Sequence, residues 1–503
     1  MARWSALQAD QRTGSLFSLV LTAWQRNRDL IHNASNLIAT TIVTTGLGFL
    51  YWAVGTRLYS QRAVGYESAA ISAMGLLGSI GMFGLGTVLI SELPKRKNKA
   101  GLVSAALIAS CVGSAVLGVG FALIAPLVSS NLAGIDGSVL RVAGFTAGVV
   151  LTAFTLVADQ ASVGVLRSGI QLTRNAAFAA AKLLVLPLAA FTLTGSLVGP
   201  LGTGIMVSWV AGMGLSLIPI AIQLRRSGAP ILPKPDWRLL RGLRRTALAH
   251  SWLSLAINMP VMLMPVLVTA TVSASANAAY YIAWMLAFFL YLIPASLSTV
   301  LFALAAADPA VIAVKLRFSL RLSFAIGIAG IAVLGLGSHL ALSIFGPGYA
   351  STATLPLILL LIGYIPMVPR THYIAVGRAT GRISHTAVVL SICAGIEVVG
   401  ALAGAKLDGL VGLSAGLLAA RIVEGMITTP AVIRASFVRD GRGKVPSAND
   451  GDTVKSKEDQ EAEIATLISL AAQAPNGIDE DPVSPRMDLD KGEDVIRGGS
   501  GPN

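Results

Sequence analysis

Three sets of charged or aromatic residues fall within or beside long apolar stretches of the sequence, where polar groups are rare. The first set is Glu397, Arg421 and Glu424. A charge deep in an apolar, membrane-like environment costs at least about 2.5 kcal/mol, so it usually has a partner or a function. Arg421 and Glu424 share a helix face at i, i+3, and Glu397 lies at a depth that allows it to meet Arg421. The set predicts either an ion pair that clamps two helices or a substrate or proton site.

The second set surrounds the junction of two apolar stretches and comprises Asp159, Arg167, Arg174 and Lys182. Arginine binds phosphate through bidentate hydrogen bonds, and lysine acts as a point charge. Together these residues could present two or three positive charges to a polyanionic head group. Lys182 lies about two turns into its stretch, so its ammonium could reach a cavity or extend back to a polar interface.

The third set is uncharged and comprises Asn258, close to Pro260, together with Tyr280, Tyr281 and Trp284. Aromatic rings can stack on sugar faces and would then form part of a binding site. An aromatic belt at a membrane–water interface also explains them, and of the two interpretations we favour the belt.

Catalytic and metal-binding patterns are missing from the sequence. Cys111 and Cys393 both lie in apolar stretches, and the five histidines form no ligand pair at helical spacing. The only Gly-Lys dipeptide, Gly443-Lys444, is followed by Val445 and lacks the upstream glycine of a phosphate-binding loop. We therefore predict a protein that is not an enzyme and that holds no metal or cofactor.

The composition identifies the elements that must position these residues. The chain has 503 residues, of which 54% are hydrophobic and 13% charged, whereas globular proteins have about 25% charged residues. This excludes an ordinary soluble enzyme, a disordered protein and a coiled coil. A membrane-spanning helix needs about 20 apolar residues, and that length predicts an all-α polytopic membrane protein with about twelve spans. The spans are 37–56, 68–90, 100–127, 139–159, 175–195, 200–223, 247–272, 278–304, 319–345, 351–369, 384–404 and 409–431.

Basic residues alternate between the loops of this topology. One set of loops carries only Arg57, Arg62, Arg141 and Lys406. The intervening loops carry Lys95, Arg96, Lys97, Lys99, Arg167, Arg174, Arg225, Arg226, Lys234, Arg238, Arg241, Arg244, Arg245, Lys315, Arg317, Arg321, Arg370, Arg378 and Arg382. Basic loops stay on the cytoplasmic side, so both termini are predicted to be cytoplasmic. The net charge of +13 therefore reflects membrane topology, and we expect no nucleic-acid partner.

The longest cytoplasmic connection divides the chain into five predicted regions. Residues 1–34 form an N-terminal segment, either an interfacial helix or a disordered tail, and residues 35–224 form a six-helix lobe. A basic linker, 225–246, precedes a second six-helix lobe, 247–434. Residues 435–503 have 8 basic and 14 acidic residues and little hydrophobic sequence. They predict a disordered acidic tail.

Two stretches in the first lobe carry a family resemblance. The first runs from Ala39-Thr40-Thr41 through Gly46-Leu47-Gly48-Phe49-Leu50-Tyr51-Trp52 to Val64-Gly65-Tyr66, Ser68-Ala69, Gly84-Leu85-Gly86 and Glu92-Leu93-Pro94. The second consists of Asp159-Gln160, Gly164, Arg167, Gln171, Arg174-Asn175 and Lys182. Both resemble bacterial polysaccharide flippases of the multidrug, oligosaccharidyl-lipid and polysaccharide exporter superfamily. The resemblance spans most of residues 35–435.

The resemblance implies two six-helix lobes around a central cavity in the bacterial cytoplasmic membrane. Such a protein flips a polyprenyl-pyrophosphate-linked oligosaccharide to the outer leaflet by alternating access, coupled to an H⁺ or Na⁺ gradient, for cell-surface polysaccharide biosynthesis. Its implied partners are this glycan, membrane lipids, and glycosyltransferases or a polymerase of the same pathway.

Several alternatives stay open. The first predicted span, 37–56, has no acidic residue, which makes the multidrug-exporting branch of the superfamily the weaker interpretation. Lipid II flippases are also similar but usually have two more helices. An alternative from a different class is a non-transporting scaffold of an envelope-assembly complex, which would bind partners through the acidic tail.

Overall fold

The computed structural model describes seven segments of the chain. They are residues 28–96, 98–132, 138–165, 167–192, 203–226, 233–307 and 312–437. The predictions for the first 27 residues and for nearly all of the acidic tail lie outside these residues.

The described residues form helices and contain no β-strand. The α-helices are α1 (Arg28–Leu58), α2 (Gln61–Gly81), α3 (Leu85–Glu92), α4 (Lys99–Val128), α5 (Val139–Gly164), α6 (Ser168–Thr192), α7 (Thr203–Leu215), α8 (Ile218–Arg226), α9 (Trp237–Gly242), α10 (Arg244–Thr271), α11 (Ala274–Ala307), α12 (Ile312–Leu336), α13 (Ser338–Ser343), α14 (Pro347–Ile362), α15 (Tyr364–Ala379) and α16 (Ile383–Phe437). The predicted all-α fold is confirmed.

The number of candidate membrane-spanning helices in the described residues is smaller than the twelve predicted. Within the described residues, eight helices are long and apolar enough to cross a membrane, or ten when two bent helix pairs each count as one span. One of the eight, α16, is a hairpin, because Asp408 and Gly409 have non-helical backbone angles. Its arms, 383–407 and 410–437, pack so closely that a side chain at Gly404 would overlap the carbonyl of Gly412.

The first of the two bent pairs has a local backbone cause. α2 and α3 meet at 52°, where Phe83 and Gly84 have positive φ angles of 49° and 68°. A left-handed conformation is easiest for glycine, so Gly84 permits the turn. α14 and α15 meet at 44° at Gly363. The α14–α15 pair corrects one prediction. Arg370 was expected in a loop after a span that ends at residue 369. It lies instead within α15 and is 2% exposed.

The helices pack in two groups, which we call the N-terminal lobe (α1–α8) and the C-terminal lobe (α10–α16). In the first, α1 packs on α6, α6 on α7, and α5 on α4 and α2. In the second, α16 packs on α10 and α15, and α11 packs on α14 and α15. Contact between the lobes runs mainly through α2, which lies against α10 and α11.

The two ends of the bundle differ in charge. We call the end that carries Lys95, Arg238, Lys315 and Arg382 the basic end. The opposite end contains the α1–α2, α10–α11 and α13–α14 connections and the turn at Asp408, and we call it the sparse end.

Candidate functional site

The C-terminal lobe contains a buried charge cluster. The predicted contact between Glu397 and Arg421 is present: Arg421 Nε donates to Glu397 Oε1 at 3.3 Å, and both side chains are 3% exposed. Arg421 Nη1 also donates to the hydroxyl of Tyr291 at 2.9 Å. The guanidinium carbon lies 5.2 Å from the ring centroid of Trp284, a cation–π distance. Arg421 is thus held by one carboxylate, one hydroxyl and aromatic faces.

Glu424 has a different partner from the one its sequence spacing indicates. Its Oε2 lies 3.2 Å from Nε of Arg370 on α15, and the two side chains are 1% and 3% exposed. The N–H of Arg370 is not aligned for a hydrogen bond, so Arg370 Nε and both carboxylate oxygens of Glu424 have no hydrogen-bond partner among the described residues. Sequence reasoning missed Arg370 because it directly follows an apolar run and was counted as a loop residue.

A cavity of about 300 Å³ lies beside this cluster, between α10, α11 and α15. Its wall includes Arg370, Arg378 and Thr371 from α15, Trp284 and Ser298 from α11, and Asn258 from α10. Trp284 is the eleventh residue of α11, which begins at the sparse end, whereas Arg378 is exposed and is the next-to-last residue of α15, at the basic end. The cavity therefore extends from mid-bundle toward the basic end and carries two arginines.

The third predicted set is split by the structure. Tyr280 and Trp284 are 1% and 9% exposed and lie inside the lobe, so the favoured interpretation as an interfacial belt is wrong for these two residues. Trp284 and Asn258 line the cavity, and Asn258 Nδ2 donates to the Ser254 carbonyl at 2.9 Å. Tyr280 belongs to the packed core beside them.

The second predicted set does not form one cationic patch. Arg174 Nε donates to Asp159 Oδ1 at 2.6 Å and its Nη2 donates to Oδ2, so the pair is bidentate and buried. Asn175 Nδ2 adds a third hydrogen bond to Asp159 at 3.2 Å. Arg174 is thereby neutralised within α5 and α6. Arg167 is exposed at the start of the same region.

Lys182 is enclosed by aromatic rings. Its Nζ lies 4.0 Å from the ring centroid of Trp209, 4.6 Å from Phe178 and 4.8 Å from Tyr51. The residue is 4% exposed, and no described carboxylate lies within ion-pair distance of it. Lys182 thus neither extends to the interface nor joins Arg174, and it is a buried cation without a described counter-ion.

Glu67 in α2 is a buried carboxylate that sequence reasoning did not assign. It is 3% exposed, and its Oε2 has no hydrogen-bond partner among the described residues. The available signal was an acidic residue six positions into a predominantly apolar helix.

Hydrogen bonds between the lobes close the sparse end. Asn277 Nδ2 donates to the Gly65 carbonyl at 2.7 Å and to Ser68 Oγ at 3.0 Å. Gln61 donates to the Ser275 carbonyl at 3.3 Å. Any side chain at Gly65 would overlap the carbonyl of Ala274, so α2 and α11 are in direct backbone contact here.

Metal ligation finds no support in the described part of the chain, where no group of three or more His, Cys, Asp or Glu residues is arranged to hold an ion.

Comparison with known proteins gives structural matches alone. No family description matches the sequence, and no curated protein matches it. A multidrug resistance MATE family transporter of the MOP superfamily in an inward-facing conformation matches with a TM-score of 0.62 at 14% identity, covering 80% of this chain and 98% of that one. An outward-facing structure with the same family description matches at 0.50 and 16% identity, covering 81% and 92%.

A further match is a MOP superfamily transporter from Pyrococcus furiosus, for which a binding pocket of reverse polarity suggests a different function. Its TM-score is 0.56 at 15% identity, and the match covers 81% of this chain and 95% of that one. The protein therefore has the fold of MOP superfamily transporters.

Proposed function

We propose that the protein flips a polyprenyl-pyrophosphate-linked oligosaccharide from the cytoplasmic to the outer leaflet, for cell-surface polysaccharide biosynthesis. The observation that carries the proposal is the cavity with Arg370 and Arg378, which extends from mid-bundle to the basic end. An anionic head group entering from that end would meet two guanidinium groups among apolar and uncharged polar side chains. Arginine suits pyrophosphate because its planar donors bind two oxygens at once.

The proposal assigns the basic end to the cytoplasm. Loops rich in lysine and arginine stay on the cytoplasmic side of a bacterial cell membrane, and such a placement puts both termini there. In that orientation the cavity extends toward the cytoplasmic side, while Asn277 and Gly65 join the lobes on the outer side. The higher TM-score against the inward-facing structure, 0.62 compared with 0.50, supports the same assignment.

The remaining predicted residues fit this role in different ways. Trp284 and Asn258 line the cavity, where an aromatic face and an amide suit a sugar ring. Lys182 in the N-terminal lobe provides a third cation that a pyrophosphate could reach when the lobes rearrange. Asp159 and Arg174 support the position of α6, on which Lys182 lies, and Arg167 is exposed to the incoming head group.

Surface polysaccharide in cells tests the proposal. In a strain that lacks the native gene, we expect Arg370→Gln and Arg378→Gln to reduce surface polysaccharide strongly while the protein stays in the membrane. The matched control is Arg321→Gln, an exposed arginine on α12 that does not line the cavity, which should complement fully. A non-transporting scaffold would tolerate both cavity substitutions, so full complementation by the double variant would contradict the proposal.

A further inference from the structure

Glu424 is the least well satisfied charged group among the described residues of the C-terminal lobe. It is 1% exposed, yet neither carboxylate oxygen has a hydrogen-bond partner. The two other buried carboxylates that form ion pairs are better satisfied, because Asp159 accepts three hydrogen bonds and Glu397 accepts one. The charged groups of Arg370 and Glu424 are thus close together but form no hydrogen bond.

The charged and titratable groups that face Glu424 come from several elements. They are Arg370 from α15, Glu397 and Cys393 from the first arm of α16, and Arg421 from its own arm, with Tyr291 of α11 behind Arg421. The charges of the two carboxylates and the two guanidinium groups cancel only while Arg370 stays beside Glu424. Arg421 alone cannot neutralise both Glu397 and Glu424.

Arg370 also lines the cavity, so its guanidinium can contact either Glu424 or a ligand. A phosphate group offers several oxygens and more negative charge than a carboxylate, and it can accept two aligned hydrogen bonds from arginine. Because the pair with Glu424 lacks such alignment, a phosphate in the cavity would displace the carboxylate. Two buried carboxylates would then share one arginine, and like charges in one site favour protonation of one of them.

We propose that Glu424 takes up one proton when a phosphate group draws Arg370 away from it, and that it loses this proton when Arg370 returns. The inference rests on the proposed function, because it requires a phosphate-bearing ligand in the cavity. The step is balanced: an acid of the bulk solution gives up H⁺ and becomes its conjugate base, the carboxylate becomes a carboxylic acid, and no bond of the ligand breaks. Glu397 keeps its hydrogen bond from Arg421, so Glu424 receives the proton.

Calorimetry on the purified full-length protein tests this exchange. Farnesyl pyrophosphate is titrated at about pH 7 in buffers of different ionisation enthalpy, which gives the number of protons exchanged on binding. A phosphate that moves next to arginine can only lose protons, since its second pKa of about 6 falls in a cationic site. Net uptake by the wild type must therefore come from the protein, and we expect uptake approaching one proton per ligand.

Two variants identify the group that is protonated. Glu424→Gln should bind farnesyl pyrophosphate with proton uptake lower by about one, whereas Glu92→Gln, a surface carboxylate paired with Lys95 and Arg96, should behave as the wild type. Binding with net proton release, or equal uptake by wild type and Glu424→Gln, would overturn the inference and leave the proposed function standing. Absence of binding to the wild type would contradict both. If Glu424→Gln does not fold, the sign of the wild-type proton exchange still decides.

Discussion

The side-chain amide of Asn277 donates to the Gly65 carbonyl at 2.7 Å, and this bond joins the two lobes at the sparse end. Asn277 is fully buried, and its amide nitrogen also reaches Ser68 Oγ. The backbone contact beside it depends on Gly65, where no side chain fits. In the proposed alternating-access cycle, these contacts would hold the sparse end closed in one of the two states.

Removing the Asn277 side chain should therefore favour opening of the sparse end. A net hydrogen bond contributes about 1 kcal/mol, which corresponds to roughly a fivefold change in the equilibrium between states. Spin labels at Arg62 and Leu340, both exposed at the sparse end, would report the distance between the lobes after Cys111 and Cys393 are replaced. Asn277→Ala should increase the long-distance population, and Asn131→Ala, an exposed residue nearby, should not. An unchanged distribution for Asn277→Ala would show that this bond does not hold the lobes together.

The Asp159–Arg174 pair predicts a stability effect. Breaking a buried, bidentate pair by removing one partner costs about 3–5 kcal/mol, because the other charge is left unpaired. We expect Asp159→Asn and Arg174→Gln each to lower the thermal unfolding midpoint in detergent, and the double variant to recover part of the loss. Additive losses in the double variant would contradict the pairing.

Replacing Lys182 should impair flipping without lowering stability. Its ammonium is buried among three rings without a described counter-ion, and replacing a buried charge by an apolar residue of similar size is often neutral or stabilising. Lys182→Met should keep or raise the unfolding midpoint and abolish flipping, if the lysine binds the head group. Lys99→Met, at an exposed position of the basic end, should change neither property. Normal flipping by Lys182→Met would exclude Lys182 from the substrate path.

Hydropathy was sufficient to predict an all-α fold. Twenty-residue apolar stretches become helices because lipid offers the backbone no hydrogen-bond partners, so the helices could be located from local sequence. The contact of Glu397 with Arg421 was also predictable, because a single turn at Asp408 joins their helices and thereby sets their relative depth.

The partner of Glu424 could not be predicted in the same way. Spacing on its own helix favoured Arg421, but Arg370 arrives from α15, and the bend at Gly363 that positions α15 leaves no local signal for depth. Similarly, Tyr280 and Trp284 lie near a helix start, which is typical of an interfacial belt, yet their burial depends on α14, α15 and α16. Contacts between distant segments decide both cases.

Direct measurement of lipid flipping tests the central claim. Proteoliposomes would contain the full-length protein and a fluorescent polyprenyl-pyrophosphate-linked oligosaccharide, and a membrane-impermeant quencher would report movement between leaflets. We predict rapid movement with the wild type and with Arg321→Gln, and at least a tenfold slower rate with the Arg370→Gln, Arg378→Gln double variant, which corresponds to about 1.4 kcal/mol of lost stabilisation. No movement with the wild type, or equal rates for wild type and double variant, would contradict the account.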